Sequence, residues 1–211
     1  MRDVQKQLQA FWDLRFGVPE YVYGTEPNQF LMQQAHHLAS GGRVLCLADG
    51  EGRNGVWLAR QGFKVQSVDI SAQGVEKTQM LARQCGVELD TLVADVTTLD
   101  MGSTQWDGIV SIFLHLPAKA RAELHRRVVR ALKPGGVFVW EAYAPNQLAL
   151  KTGGPRDAAL LPGLDEVAID FDSSTLQHAW TGLRPVQEGS LHTGIGAVTQ
   201  LLVKKAAQPG A

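Results

Sequence analysis

Val44-Leu45-Cys46-Leu47-Ala48-Asp49-Gly50-Glu51-Gly52-Arg53-Asn54, followed by Lys64-Val65-Gln66-Ser67-Val68-Asp69, decides how the chain is read. A short apolar run, suited to a strand buried on both faces, leads into a glycine turn. A helix leads away from the turn, and a second strand ends on a carboxylate. Glycines let backbone approach a ligand closely, and a carboxylate at the next strand end can hold both hydroxyls of a ribose. These residues predict a pocket for a nucleoside.

Working outward, strand and helix alternate. Asn54 to Gln61 reads as a helix stopped by Gly62, and Val65 to Val68 as the second strand. Ser71 caps a helix that reaches Cys85, with Gly86 behind it. Leu89–Val93, Gly108–Phe113 and Val137–Ala142 read as further strands. Pro117 to Leu132 is an amphipathic helix, with Pro117 in its favourable first turn, and Lys133-Pro134-Gly135-Gly136 is a turn. Upstream, Asp3–Phe16 carries Val4, Leu8, Phe11, Trp12 and Arg15 near one side of a helix. A second helix spans Asn28–Leu38 and ends before Gly41-Gly42. Leu176–Val186 and Ala197–Lys204 read as an antiparallel hairpin turned at Gly189–Gly194.

The order predicts an α/β fold: a three-layer, doubly wound Rossmann-like sheet of about seven strands, mostly parallel, with a C-terminal antiparallel hairpin. One domain is expected over residues 1–211. Residues 1–40 form a helical cover, 43–143 the cofactor-binding core, 144–164 a loop or lid, and 165–206 the hairpin region.

Lys and Arg total 20 against 21 Asp and Glu, a net charge of −1, so no strong pull toward nucleic acid or anionic membrane is encoded. Arg121, Arg126, Arg127, Arg130 and Lys133 cluster, and read as the solvated side of a helix and its last turn. The two cysteines, Cys46 and Cys85, offer no disulfide framework. The polar N-terminus lacks an apolar signal core, and no run approaches the ~18 residues of a membrane span. A cytoplasmic location is expected. The histidines show no zinc spacing, so no metal is expected.

Gly50, Gly52 and Gly55 satisfy GxGxxG, with Asp69 about 20 residues beyond the first glycine. That spacing suits nicotinamide cofactors and S-adenosylmethionine alike. Three features favour the second: Ala94-Asp95 after the third strand, Lys133-Pro134-Gly135-Gly136 before the fifth, and the terminal hairpin. A dehydrogenase would need a substrate domain, or a Tyr-x-x-x-Lys pair that Tyr143 with Gln147 does not supply. Together these features resemble the class I S-adenosylmethionine-dependent methyltransferases. Gly50–Asn54, Tyr21–Asn28, Phe113–Pro117, Glu141–Tyr143, Gly153–Pro155 and His192–Gly194 resemble the branch of tellurite-resistance and thiopurine-type methyltransferases.

The resemblance implies S-adenosylmethionine as cofactor and S-adenosylhomocysteine as product. It places the methionine part on Ala48, Asp49, Gly50, Glu51 and Gly52, the ribose on Asp69 and the adenine on Asp95. Two residues depart from the family: Cys46 stands where Asp is common and Ala48 where Gly is common. Asp49 is a candidate replacement acid for the ammonium group. Ile70, Ser71, Ala94, Val96, Ile112 and Phe113, at the strand ends, complete the expected cofactor contacts with Arg53 and Asn54. Arg53-Asn54 opens a helix whose free N–H groups face a ligand, although Asn54 could equally cap that helix.

His115 is either a base for a thiol or hydroxyl acceptor or a structural histidine. Tyr23 is a candidate both for cofactor contact and for catalysis, because an aromatic face gains ~0.5–2 kcal/mol over a cation. Tyr143 is a candidate for catalysis and, with Trp12, Tyr21 and His192, for the acceptor. The expected reaction is in-line methyl transfer to a small molecule, with a soft thiol, selenium or tellurium nucleophile suiting a site that offers one doubtful base. A nicotinamide-dependent oxidoreductase and a non-catalytic S-adenosylmethionine-binding protein are the rival readings. Acceptor contacts come from loops, so the motifs leave the acceptor and the oligomeric state open.

Overall fold

The runs of apolar residues become seven strands of one sheet: β1 (Arg43–Leu47), β2 (Lys64–Asp69), β3 (Asp90–Val93), β4 (Trp106–Ile112), β5 (Leu132–Tyr143), β6 (Leu176–Glu188) and β7 (His192–Lys204). Their spatial order is β3-β2-β1-β4-β5-β7-β6. The first five pair in parallel, and β7 runs antiparallel between β5 and β6. The computed structural model describes residues 2–172 and 175–207, with the side chain of Arg2 excepted. Residues 1, 173, 174 and 208–211, which the predicted domain ranges include, lie outside the described residues.

Among the described residues, six helices cover the sheet: α1 (Arg2–Phe16), α2 (Gln29–Gln34), α3 (Arg53–Arg60), α4 (Ala72–Cys85), α5 (Ala118–Ala131) and α6 (Leu164–Ala168). The central strands are apolar on both faces because both faces are packed. Leu45, Leu47, Val68, Ile109, Phe138 and Trp140 pack on one side with Leu124 and Val128 of α5. Val44, Cys46, Val65, Val110, Val137 and Val139 pack on the other with Phe30, Leu31 and Leu58. Each large apolar side chain buried in this way contributes ~1.5–3 kcal/mol relative to exposure.

Local signals set the helix ends. Ser71 Oγ accepts from Gly74 N at 3.0 Å to start α4, and Gly86, at φ +67°, ends it. The helix after the glycine turn begins from Gly52, not from an Asn54 cap. The predicted helix at Asn28–Leu38 is shorter: α2 ends at Gln34 and a 3₁₀ turn covers Ala35–His37. The expected turn at 133–136 lies within β5, where pairing to β4 shifts register between Trp106 and Gly108. The C-terminal strands are longer than predicted, and His192 opens β7 rather than sitting within a six-residue turn.

The basic cluster on α5 is solvated only in part: Arg126 and Arg130 are exposed, while Arg121, Arg127 and Lys133 turn onto the protein. Arg121 is buried, donating to Glu166 O at 2.9 Å and Asp170 at 3.3 Å. Arg127 donates to the carbonyls of Val96, Thr97 and Leu99 at 2.7–2.9 Å. Lys133 pairs with Asp107 at 2.8 Å. These charges cap loops of the sheet's rim. Among the described residues, no helix is long and apolar enough to cross a membrane.

Candidate active site

A cavity of about 730 Å³ opens at the carboxyl ends of β1, β2 and β4, where the strand order reverses between β1 and β4. Open α/β sheets bind ligands at that reversal. Its floor is the turn after β1. Ala48 (φ +51°), Gly50 (+61°) and Gly52 (+86°) alternate in the left-handed region, coiling the chain before α3. Asp69, at the end of β2, gathers two backbone donors: Gly50 N–H at 2.8 Å and Ser71 N–H at 2.9 Å. Burial raises the Asp69 pKa to about 6, although those donors favour the charged form.

The remaining acids on the wall are held from within. Asp49 Oδ2 accepts from Ser67 Oγ at 2.8 Å and Gly55 N at 3.2 Å, and burial raises its pKa to about 7. Glu51 pairs with Lys77, whose ammonium also donates to Val18 O at 2.9 Å and Glu20 O at 2.5 Å. Asp95 Oδ1 accepts from Thr97 N and Thr97 Oγ1, each at 2.7 Å, while its Oδ2 accepts from Gln5 Nε2 of α1 at 2.8 Å. Arg53 pairs with Glu188 of β6. Asn54 accepts from Asn28 N at 2.9 Å, so its side chain fixes α2 rather than capping α3.

The roof is α1. Leu8, Phe11, Trp12, Arg15 and Phe16 face the cavity from one side of this helix. Trp12 and Phe16 stack at 5.4 Å, Phe16 meets Tyr23 edge-on at 6.2 Å, and Tyr23 lies 4.5 Å from His192. Phe113, at φ +56°, closes the chain of rings at 4.8 Å from His192 and 4.5 Å from Tyr143. Asp13 anchors the roof to α4, accepting from Ser71 Oγ at 2.6 Å.

The sequence-derived candidates fall into three groups. Trp12, Tyr23, Ala48, Asp49, Gly50, Glu51, Arg53, Asn54, Asp69, Ile70, Ala94, Asp95, Val96, Ile112, Phe113, His115 and His192 line the cavity together. Gly52 and Ser71 stand behind it: Gly52 packs against Thr78, and Ser71 caps α4. Tyr21 and Tyr143 do not reach it. Tyr21 turns outward, its hydroxyl donating to Lys77 O at 3.1 Å. Tyr143 is fully buried with Leu161 and Val198, and its hydroxyl has no partner.

His115 lines the cavity without the makings of a base. Its Nε2 accepts from Tyr143 N at 3.1 Å, and burial lowers its pKa to about 4. His192 is held neutral too, its pKa lowered to about 3 by burial and by Arg53 nearby. The segment 144–164 is an anchored wall rather than a loose lid. Buried Gln147 ties it down, donating to Gly153 O at 3.0 Å and accepting from Ala197 N at 2.8 Å. Gly154, at φ +83°, packs where a side chain would strike Tyr143. Gln5, Leu8, Phe11, Arg15, Leu114, Leu116, Arg156, Leu160 and Leu191 are among the site-facing residues that motif reading missed. The apolar side of α1 was the available signal for Leu8, Phe11 and Arg15.

Residues 44–136 match the family described as methyltransferase domain. The ribosomal RNA small subunit methyltransferase C of Alcanivorax borkumensis is 32% identical over 120 residues, 54% of this chain and 36% of that protein. This chain spans about two fifths or less of the length of the curated relatives it matches. A structure from work on converting a disulfide bond into a thioacetal group during echinomycin biosynthesis superposes with TM-score 0.76 at 15% identity, covering 96% of this chain and 93% of that one. TehB from Haemophilus influenzae superposes with TM-score 0.67 at 14% identity, covering 93% and 66%. The match to a methyltransferase domain lies on the core strands and the glycine turn, and the chain shares its fold with TehB and with an S-adenosylmethionine-dependent methyltransferase from Methanosarcina mazei.

Proposed function

We propose that this protein transfers a methyl group from S-adenosylmethionine to a small molecule bearing a soft nucleophile, a thiol, selenium or tellurium species. The observation that carries this reading is the closure of the Asp69 crevice by α1, which leaves a cavity of about 730 Å³ lined by both carboxylates and aromatic rings. That volume lies within the range of pockets built for small ligands.

The residues fit the cofactor. Four carboxylates on the wall suit a cationic ligand, and the left-handed turn presents backbone in place of side chains. Ala48–Gly52 would hold the methionine part, Asp69 the ribose hydroxyls, and Asp95, with Ala94 and Val96, the adenine. Cys46 is buried in the core beneath the turn and takes no part. S-adenosylmethionine, when bound, supplies a methyl group already activated on a sulfonium. The chain's own contribution is alignment and the exclusion of water. Tyr23, Trp12 and Phe16 screen the cavity from solvent. His115 spends its Nε2 on backbone and holds Phe113 and Tyr143 in register, and His192 is held neutral, so neither histidine on the wall stands ready to remove a proton. A nucleophile that is already an anion at neutral pH needs no such help.

A curated relative acts on ribosomal RNA, but Arg121 and Arg127, which might have offered a basic face, spend their charges inside this molecule. Transfer from methyl-labelled S-adenosylmethionine to a panel of thiol, thiopurine, selenite, tellurite and RNA tests the reading. Label on a sulfur, selenium or tellurium acceptor is the expected result. Label on RNA alone, or none on any acceptor while the cofactor binds, contradicts it.

A further inference from the structure

We propose that Arg15 holds an anionic group of the acceptor, so that the acceptor is an apolar or aromatic molecule carrying a carboxylate or a similar oxyanion. This rests on the methyl-transfer reading of the same cavity and names the acceptor's chemistry within it.

Each acid of the wall already has partners inside the protein: Asp49 with Ser67, Glu51 with Lys77, Asp69 with two backbone amides, and Asp95 with Thr97 and Gln5. Arg53 is matched by Glu188. Arg15 is different. Its Nη1 donates to the neutral Tyr23 hydroxyl at 3.0 Å, and its guanidinium lies 4.6 Å from the Phe11 ring centroid and 5.1 Å from that of Trp12. Among the described residues, no carboxylate pairs with Arg15, nor with Arg156 on the opposing segment.

A second observation points to the same place. His192, its ring tilted against Tyr23 with centroids 4.5 Å apart, is only 7% exposed, and its Nδ1 has no hydrogen-bond partner. Neutral His192 offers Arg15 no counter-charge, and the rings of Trp12, Phe16 and Tyr23 offer none either. Leu114, Leu116, Leu160 and Leu191 make the rest of this end apolar. A guanidinium with free donors on an apolar, partly dried wall is a fork for a planar anion, and its hydrogen bonds to one are roughly twice as strong as neutral ones. Because Arg15 stands on α1, an anionic acceptor would also draw the roof down.

The test uses two probes of nearly the same size and shape, anionic 2-(methylthio)benzoate and neutral 2-(methylthio)benzamide, which differ in charge and in one hydrogen-bonding atom, each titrated by calorimetry into protein saturated with S-adenosylhomocysteine. The carboxylate is expected to bind about tenfold or more tighter than the amide. Arg15→Gln should bring the two to near equality, and Arg15→Lys, which keeps the charge, should retain part of the preference. Equal binding of the two probes to the unaltered protein overturns the proposal. So does failure of both to bind, or a preference that survives Arg15→Gln. The comparison on unaltered protein decides even if a variant folds poorly. Loss of S-adenosylhomocysteine binding itself would instead count against the methyl-transfer reading.

Discussion

Asp69 concentrates the chemistry of the site in one residue. Its carboxylate must be charged to accept two ribose hydroxyls, yet burial raises its pKa to about 6. Ligand binding favours the ionised form, so affinity is full above that value and falls as pH drops through it, by at most about tenfold per pH unit. Calorimetric titration of S-adenosylhomocysteine from pH 5 to 8 should show this slope, and Asp69→Asn should flatten it; an unchanged affinity across the range removes Asp69 from the ribose role. Ala48 is the other instructive residue. It holds φ at +51°, in the left-handed region, at a strain of about 1–2 kcal/mol that a glycine would not carry. The structure also answers for Cys46. Its side chain faces the core on a strand packed on both sides, and an aspartate there would be buried beside Val110 and Val139. Asp49 does not replace that acid in a simple way, since Ser67 and Gly55 take its Oδ2 from below.

At the scale of elements, the glycine turn is held by what lies behind it. A methyl group on Gly52 would sit 2.5 Å from Thr78 Cγ2 of α4, at a φ of +86°. Gly52→Ala should therefore cost about 2–4 kcal/mol, the sum of left-handed strain and overpacking. A Thr78→Ala background removes Cγ2 and Oγ1 but keeps Cβ at 2.7 Å, so only a part of the overpacking, less than about 1 kcal/mol, should return, while the strain remains. Urea denaturation of the four proteins measures both, and full additivity would show that the turn does not press on α4. The turn and the strands were legible in the sequence because parallel strands packed on both faces leave unbroken apolar runs, and because glycine spacing marks left-handed backbone. The roof was legible only as an apolar side of α1, since nothing local says which surface a terminal helix covers. Tyr143 was misread for a related reason: β5 is apolar on both faces, so its sequence carries no alternation to tell which way a side chain points. Arg127 and Arg121 of α5 looked solvated because helical spacing cannot show that the loop 96–99 and the helix α6 would come to meet them.

Across the whole molecule, the site depends on a buried polar knot that joins its four walls. Glu141 of β5, with no exposed surface, accepts from Arg184 Nε of β6 at 3.0 Å and from Asn28 Nδ2 at 2.7 Å. It is also bonded by Gln200 of β7. Glu188 joins Asn28, Arg184 and Arg53, and so links the hairpin to the helix that follows the glycine turn. Two carboxylates and two guanidiniums balance, which is the condition for such a cluster to be tolerated in a core. Glu141→Ala would leave Arg184 without its main partner, and a loss of about 3–5 kcal/mol in chemical denaturation is expected; a change under about 1 kcal/mol would mean that the knot contributes little. Because the knot reaches Asn54 and Arg53 through Asn28 and Glu188, its disruption should also loosen the crevice. All of this serves one claim, that the crevice at the ends of β1 and β2 binds S-adenosylmethionine and its product. Calorimetric titration with S-adenosylhomocysteine tests it most directly. The account predicts one saturable site, weakened in Asp69→Ala by about 1–3 kcal/mol. Absence of any binding heat and of any shift in melting temperature on the unaltered protein, or saturable binding of reduced nicotinamide cofactor in its place, would contradict it.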